Sequence, residues 1–458
     1  MQEISLAEKI IVGFSDLAWG TPLLVLLLGG GLFFMVYSRL LPLRYFRHAV
    51  KILRGKYDDP NEPGQINHYQ ALSTALAATV GMGNVSGVAL AIAHGGPGAI
   101  FWMWVSAILG VTTKYFTCTL AVMFRGKDSN GELQGGPMYV IVEGLGKNWR
   151  PLAVFFSVLG MIGVSPVFQA NQLTQVIRDV VLIPAGVVAG TGSDVITGVL
   201  IALIVALVLF GGIRRIGKVT GRMVPIMVVL YIGTVLFILA TNADQIIPGF
   251  KLILHDAFTA DSVLGGAVGT LIITGVRRAA FSNEAGIGTA PMAHGAAKTN
   301  EPVREGLVAM LGPIIDTIFV CTMTALALII TGVWQTSDAD GITLTASAFE
   351  SAIPGFGAIL LTICVSVFAI STMLSFPYYG TKCFSFIFGA RYSFIYKWLY
   401  VIVIPLGAAA TLGFTVGIFD GAYALMAFPT MISALLLSPK VIRASRDYFA
   451  RLKAENNQ

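Results

Sequence analysis

Charge is scarce in this chain of 458 residues: Asp, Glu, Lys and Arg make up 12%, about half the usual share of a soluble globular domain. Cysteine is scarcer still. Cys118, Cys321, Cys364 and Cys383 form no CxxC pair and fall within or beside apolar runs, so they support neither a metal site nor a disulfide framework and read as inert packing. Neither HExxH nor GxSxG occurs, and no cluster of titratable side chains resembles a catalytic centre; neither an enzyme nor a cofactor is expected. Gly81-Met82-Gly83 with Gly87 lacks the spacing and the strand–turn–helix setting of a dinucleotide fingerprint. No polar stretch is long enough to hold a soluble domain, and nothing marks an obligate protein partner.

What fills the chain instead is apolar: 55% of residues are hydrophobic and mean hydropathy is +0.78. A membrane span needs about 20 mostly apolar residues. Eleven stretches qualify: 17–38, 68–94, 99–124, 151–181, 195–211, 221–240, 263–285, 304–332, 355–387, 392–412 and 415–436. The expected fold is an all-α integral membrane protein embedded in the lipid bilayer. Lys and Arg in short loops set its orientation. One set of loops holds Arg39 to Lys56, Arg125 to Arg150, Arg214 to Arg222, Arg277, Arg278, Lys298, Arg304 and the basic residues from Lys382 onward. The opposite set has only Lys9, Arg178 and Lys251, and gathers Asp244, Asp256, Asp261, Asp338, Asp340 and Glu350. The N-terminus is therefore expected outside and the C-terminus in the cytoplasm. The net charge of +6 reflects this topology and gives no reason to expect nucleic acid. Glu3, Glu8 and Asp16 precede the first apolar run and basic residues follow it, the charge order of an uncleaved reversed anchor. Residues 4–14 suit a short interfacial helix.

Two spans carry interruptions. With the first span set aside as an accessory, these become the first and sixth of ten, entering from opposite sides, which is the topology of a five-plus-five inverted repeat. The chain then divides into residues 1–60 (interfacial and accessory helix plus basic loop), 61–260 (first repeat), 261–437 (second repeat) and 438–458 (cytoplasmic tail). The first interruption lies in Ala77-Ala78-Thr79-Val80-Gly81-Met82-Gly83-Asn84, where two glycines favour unwinding. Lipid offers no partner to freed peptide groups, so such a break must line a protein cavity. Amides of Met82 and Gly83 at the new helix start suit a carboxylate; carbonyls of Thr79 and Val80 suit an ammonium group or a bare cation. A free amino acid carries both charges on one carbon. A glycine-rich helix-packing motif is the alternative reading. In the sixth core span a break near Ile273, Thr274 and Gly275 would put Arg277, Arg278 and Glu284 on an inner half-helix, beside a Gly-rich stretch that reads as a cytoplasmic gate.

Other polar residues stand out against the apolar background. Gln169 and Gln172 share a helix face beside Phe168; Gln169 could close over a substrate, or the amides could tie helices together. Phe368, Ser371 and Thr372 bring hydroxyls to mid-membrane, where they either back-bond to their own helix or serve as hard oxygen ligands for Na+. Lys114 and Asp316 are intramembrane charges, candidates for an ion pair, a gate or a proton relay. His68, His94 and His294 read as peripheral.

At Ala78–Gly87, at Gly135-Gly136-Pro137-Met138-Tyr139 and at Arg278-Ala279-Ala280-Phe281-Ser282-Asn283-Glu284-Ala285-Gly286-Ile287-Gly288, the chain resembles the alanine or glycine:cation symporter family of prokaryotes. The likeness extends from the first span to the last. It implies Na+- or H+-driven uptake of small neutral amino acids across a prokaryotic plasma membrane. It also implies a fold similar to the bacterial leucine transporter, within the amino acid–polyamine–cation group. Carried over residue by residue, it implies substrate contacts at Thr79, Met82 and Gly83, to which the break itself adds Gly81, with Phe168 and Gln169 in the capping region. Asn84 matches a ligand of a sodium ion that touches the substrate. Ala77, Val80, Phe368, Ser371 and Thr372 match a second sodium site, and Asp316 stands near the place of a further ligand of the first. A proton-coupled carrier and an ion channel are the competing functions, the first separated by Na+ dependence, the second by saturable counterflow.

Overall fold

The computed structural model describes residues 6–258, 267–337 and 339–456. Helix dominates, with one small hairpin pairing Gly126–Lys127 against Leu133–Gln134. Among the described residues, seven helices are long and apolar enough to cross a membrane, and three bent pairs raise the number to ten. The expected span 263–285 appears as the helix Ala267–Asn283; its expected start, like Asp261, Asp338, Ile4 and Ser5, lies outside the described residues.

The elements that build the site are, in order, α1 (Leu6–Ala18), α2 (His68–Thr79), α3 (Met82–Gly95), α4 (Ala99–Met123), α5 (Val167–Ile177), α6 (Ala267–Asn283), α7 (Thr289–His294), α8 (Pro302–Ala309), α9 (Gly341–Ala352), α10 (Gly357–Phe388) and α11 (Leu412–Asn456). The first break falls where the glycines place it. An Asn67–Gln70 capping box starts α2, each side chain accepting from the other's amide at 2.8 and 3.0 Å. The helix ends with Val80 N donating to Leu76 O at 2.7 Å. Val80 then turns out (ψ 98°), Gly81 is extended, and α3 leaves at 42° to α2. Glycine is needed at 81 for space: a Cβ there would lie 2.8 Å from Thr372 Oγ1 on α10.

The second break is not where the sequence suggested. α6 runs unbroken through Ile273, Thr274 and Gly275, and the chain unwinds about ten residues later, at 284–288. There Glu284, Gly286 and Gly288 take φ of 55°, 86° and 111°. The glycines of this stretch are of two kinds. Gly275 serves close packing, since a Cβ on it would stand 2.6 Å from Ala99 O and from Trp102 Cβ at the head of α4. Gly286 and Gly288 serve the turn, in the left-handed region that other residues avoid. Consequently Arg277 and Arg278 stay on the same helix as Gly275 and meet Asp16 and Asp420, not an inner half-helix. Because Asp16 precedes the first span, both arginines lie toward the N-terminal face and leave the basic set assigned to the other side.

α11 also departs from expectation. It does not stop near 436 but continues as helix to Asn456, 45 residues in all. The presumed tail packs on the protein: Tyr448 Oη lies 2.7 Å from His48 Nε2 on the short amphipathic helix Phe46–Leu53, and Arg451 donates to Glu301 at 2.6 Å.

Candidate substrate and ion site

At the start of α3 the amides of Met82 and Gly83 have no acceptor within their own helix. The amide of Gly81 is satisfied by Asn84 Oδ1 at 2.9 Å, which leaves the Asn84 Nδ2 group to donate to Asp316 Oδ1 at 2.6 Å. Ser282, from the last turn of α6, donates to the same Asp316 oxygen. Asn283 Nδ2 donates to Thr317 Oγ1 at 3.0 Å. Asp316 sits in a π-helical segment, Ile314–Cys321, a widened turn of the kind that re-aims side chains at functional sites. Three separated segments thus converge on one buried carboxylate. Its Oδ2 is buried with only the hydroxyl of neighbouring Thr79 to face it, and that hydroxyl has no other partner. A bare carboxylate oxygen away from water is costly unless a cation or a proton meets it.

On the far side of the break, Thr372 Oγ1 donates to Ala77 O at 3.5 Å, and the Cβ position of Gly81 lies 3.9 Å from Phe368 O. Ala77, Val80, Phe368 and Thr372 therefore gather around the end of α2. Ser371 back-bonds to Phe368 O at 2.9 Å and contacts Met227 Sδ at 3.6 Å, the local alternative its residue type allowed.

The wall above the break is aromatic. A Cβ on Gly83 would meet Phe281 Cδ1 at 2.9 Å, so α6 rests its Phe281 ring directly on the glycine. Phe168 meets that ring edge-on with centroids 4.9 Å apart, Phe419 lies 4.6 Å from it, and Tyr423 stands 4.3 Å from Phe419. Phe168 was foreseen here; Phe281, Phe419 and Tyr423 were not, because nothing local in an apolar run marks which rings face inward. Gln169 Oε1 is buried without a partner. Gln172 is fully engaged: its Oε1 accepts from Ser86 at 2.5 Å and from Ile342 N at 3.2 Å, and its Nε2 donates to Gln175 at 2.8 Å. It ties α3, α5 and α9 together and has no group left for a substrate. Ile273, Thr274 and Gly275 sit a helix length away from the break, with Thr274 against Gly95.

Glu284 anchors the second break. Tyr423 Oη donates to its Oε1 at 2.8 Å, Thr289 donates to its Oε2, and Thr430 holds Ile287 O at 2.9 Å. Lys114 is buried between Glu284 and Asp316 and forms an ion pair with neither. On the face opposite the N-terminus, the segment before α2 is stitched to the segment after α7. Gln65 N donates to Ala296 O at 2.8 Å, Lys298 N to Ile66 O at 2.6 Å, and Arg125 spans Gly295 O, Pro63 O and Thr299 O at 2.8, 3.1 and 3.1 Å. Beneath this seam, Glu305 on α8 accepts from His68 and, at 2.5 Å, from His294, all three fully buried. The two histidines read as peripheral are thus core residues. The signal available in the sequence was Glu305 itself, an acid at the head of an apolar span that had to find partners.

A model of the sodium:alanine symporter family matches residues 4–458. The chain belongs to that family. It is 42% identical to the sodium/alanine symporter AgcS of Methanococcus maripaludis, covering 98% of each chain. It is 40% identical to an uncharacterized transporter of Haemophilus influenzae, over 97% of each. It shares 34% with a probable sodium/glutamine symporter, GlnT, of Bacillus subtilis, over 99% and 93%. Among solved structures, a crystal structure of MhsT in complex with L-phenylalanine aligns at TM-score 0.61 and 15% identity, covering 84% of this chain and 93% of that one. That likeness establishes the leucine-transporter-like fold. The protein is a multi-pass membrane transporter, a sodium-coupled amino-acid symporter, and its chemistry is binding and release.

Proposed function

We propose that this symporter imports alanine or glycine together with Na+, by alternating access, with the N-terminus outside and the C-terminus in the cytoplasm. The observation that carries the reading lies at the first break: free amides of Met82 and Gly83 on a helix whose Asn84 reaches the buried Asp316 carboxylate, with the Asp316 Oδ2 met by no more than the Thr79 hydroxyl. The amides would bind the carboxylate of an amino acid. Asp316, with Thr79, Asn84 and Ser282, would hold one Na+ against it; Ala77, Val80, Phe368 and Thr372 would hold a second. Phe281 packs directly on Gly83 with Phe168 edge-on to it, a close wall that would favour alanine and glycine over larger substrates. Named activities of relatives include both alanine and glutamine, so the selectivity proposed for this chain rests on its own wall. With both ions and substrate in place, the seam held by Arg125 would part and the inner half-helices α2 and α7 would move apart.

Labelled alanine uptake into proteoliposomes tests the reading. An inward Na+ gradient should drive saturable accumulation that unlabelled glycine competes away. Accumulation that ignores Na+ and collapses with the pH gradient would assign Asp316 Oδ2 to a proton instead.

A further inference from the structure

α1 is joined at a 44° bend to the helical stretch Thr21–Tyr37, outside both repeats, yet it reaches the arginine layer above the aromatic wall. It lies along a face of α11 where glycines recur every fourth residue. A Cβ on Gly417 would stand 2.9 Å from Ile11 Cγ2, and one on Gly421 would stand 3.4 Å from Phe14 Cε1. Small residues at this spacing let two helices approach closely. The seat brings the end of α1 onto two charged residues of the transport core. Ser15 Oγ accepts from Arg277 Nη2 at 2.6 Å, Asp16 Oδ1 accepts from Arg277 Nη1 at 2.8 Å, and Trp19 Nε1 donates to Asp420 O at 2.9 Å. Ser15 and Trp19 are buried.

The charges explain why a partner is needed there. Arg277 donates to Asp420 Oδ2 at 2.6 Å and Arg278 donates to the same oxygen, so one carboxylate serves two guanidinium groups. Asp16 supplies the second negative charge. Arg278 also lies over the Phe281 ring, 5.3 Å from its centroid, so this layer sits directly above the wall that covers Gly83. Simple packing of α1 on α11 would not require its polar end to point at Arg277.

We propose that Ser15 and Asp16 are positioning residues of the closure on the N-terminal face, and that α1 sets how readily this closure opens. The inference rests on the alternating-access reading above, with Arg277, Arg278 and Asp420 as the gate on this face. Asp16 is exposed, so its pair should be worth about a twofold to fivefold shift in the open fraction.

Accessibility is read in the full-length protein carrying Phe419→Cys, a reporter beneath the arginine layer, and uptake is read separately with Phe419 intact; the four native cysteines are buried. A membrane-impermeant maleimide added on the N-terminal face should label the Asp16→Asn and Ser15→Ala variants about twofold to fivefold faster than the parent. Alanine uptake by both should show a lower maximal rate with no rise in KM, because closing is weakened while binding is spared. Asp16→Glu should restore parent values of both. Gly417→Leu, which lifts α1 off its seat, should label as fast as Asp16→Asn. Parent-like labelling and uptake in both Asp16→Asn and Ser15→Ala overturns the proposal. Protein with Phe419 and all other residues unaltered that accumulates no alanine overturns the transport reading beneath it instead.

Discussion

Gly83 illustrates how much one missing methyl group can carry. Its hydrogen lets the Phe281 ring close over the break while leaving the adjacent amides bare. In Gly83→Ala the new Cβ would press on Phe281 at 2.9 Å, an overpacking usually worth about 1–3 kcal/mol. The alanine KM should rise at least about tenfold, with the protein still eluting as the parent does on size exclusion. Asp316→Asn keeps the shape but removes the charge that awaits a cation; with the second ion position intact, uptake should stay Na+-dependent but need more Na+, measured as a right-shifted and less steep Na+ activation curve. The contrast between Met82→Ala and Ile273→Ala tests where the wall stands. Competition by leucine should appear in the first and not in the second, since Ile273 lies on the continuous part of α6.

Among the elements, the two breaks differed in legibility for a physical reason. Around Gly81 the interruption and its polar neighbours are contiguous in sequence, so composition alone marked the place. Around Gly286 the unwinding depends on long-range anchors, Tyr423 and Thr430 holding Glu284 and Ile287 across more than a hundred residues, and no local pattern reveals them. The glycine that drew the reading in that span was Gly275, and its purpose is close approach to α4. The same blindness hid Glu305 with His68 and His294, whose partners are 237 and 11 residues away. Removing the carboxylate should strand two buried imidazoles: Glu305→Ala should cost about 3–5 kcal/mol, seen as a fall in thermal unfolding temperature larger than that of Arg451→Ala on the surface.

For the whole molecule, the helical membrane fold of leucine-transporter type was readable from hydropathy and the place of the first break, because lipid admits few alternatives. The far end of α11 was not, since a run of mixed charge looks like a free tail. Its attachment makes a pH prediction. Burial, together with the nearby positive charges of Lys51, Arg304 and Lys56, lowers His48 to about 4, against about 6.5 unfolded. A base with a lowered folded value contributes stability that is present above the unfolded value and is lost as pH falls from about 6.5 toward 4. Amide exchange over residues 440–456 should therefore accelerate between pH 7.5 and pH 5 in the parent, and His48→Gln should flatten that dependence.

The length of α11 has a mechanical meaning. At about 1.5 Å per residue its 45 residues make a rod of roughly 68 Å. Asp420 near one end grips the arginines, Tyr423 and Thr430 hold the unwound turn, and Arg451 at the other end reaches the head of α8. A shared lever of this kind lets one doorway feel the state of the other, so leakage through both at once is opposed by the same beam that holds each shut.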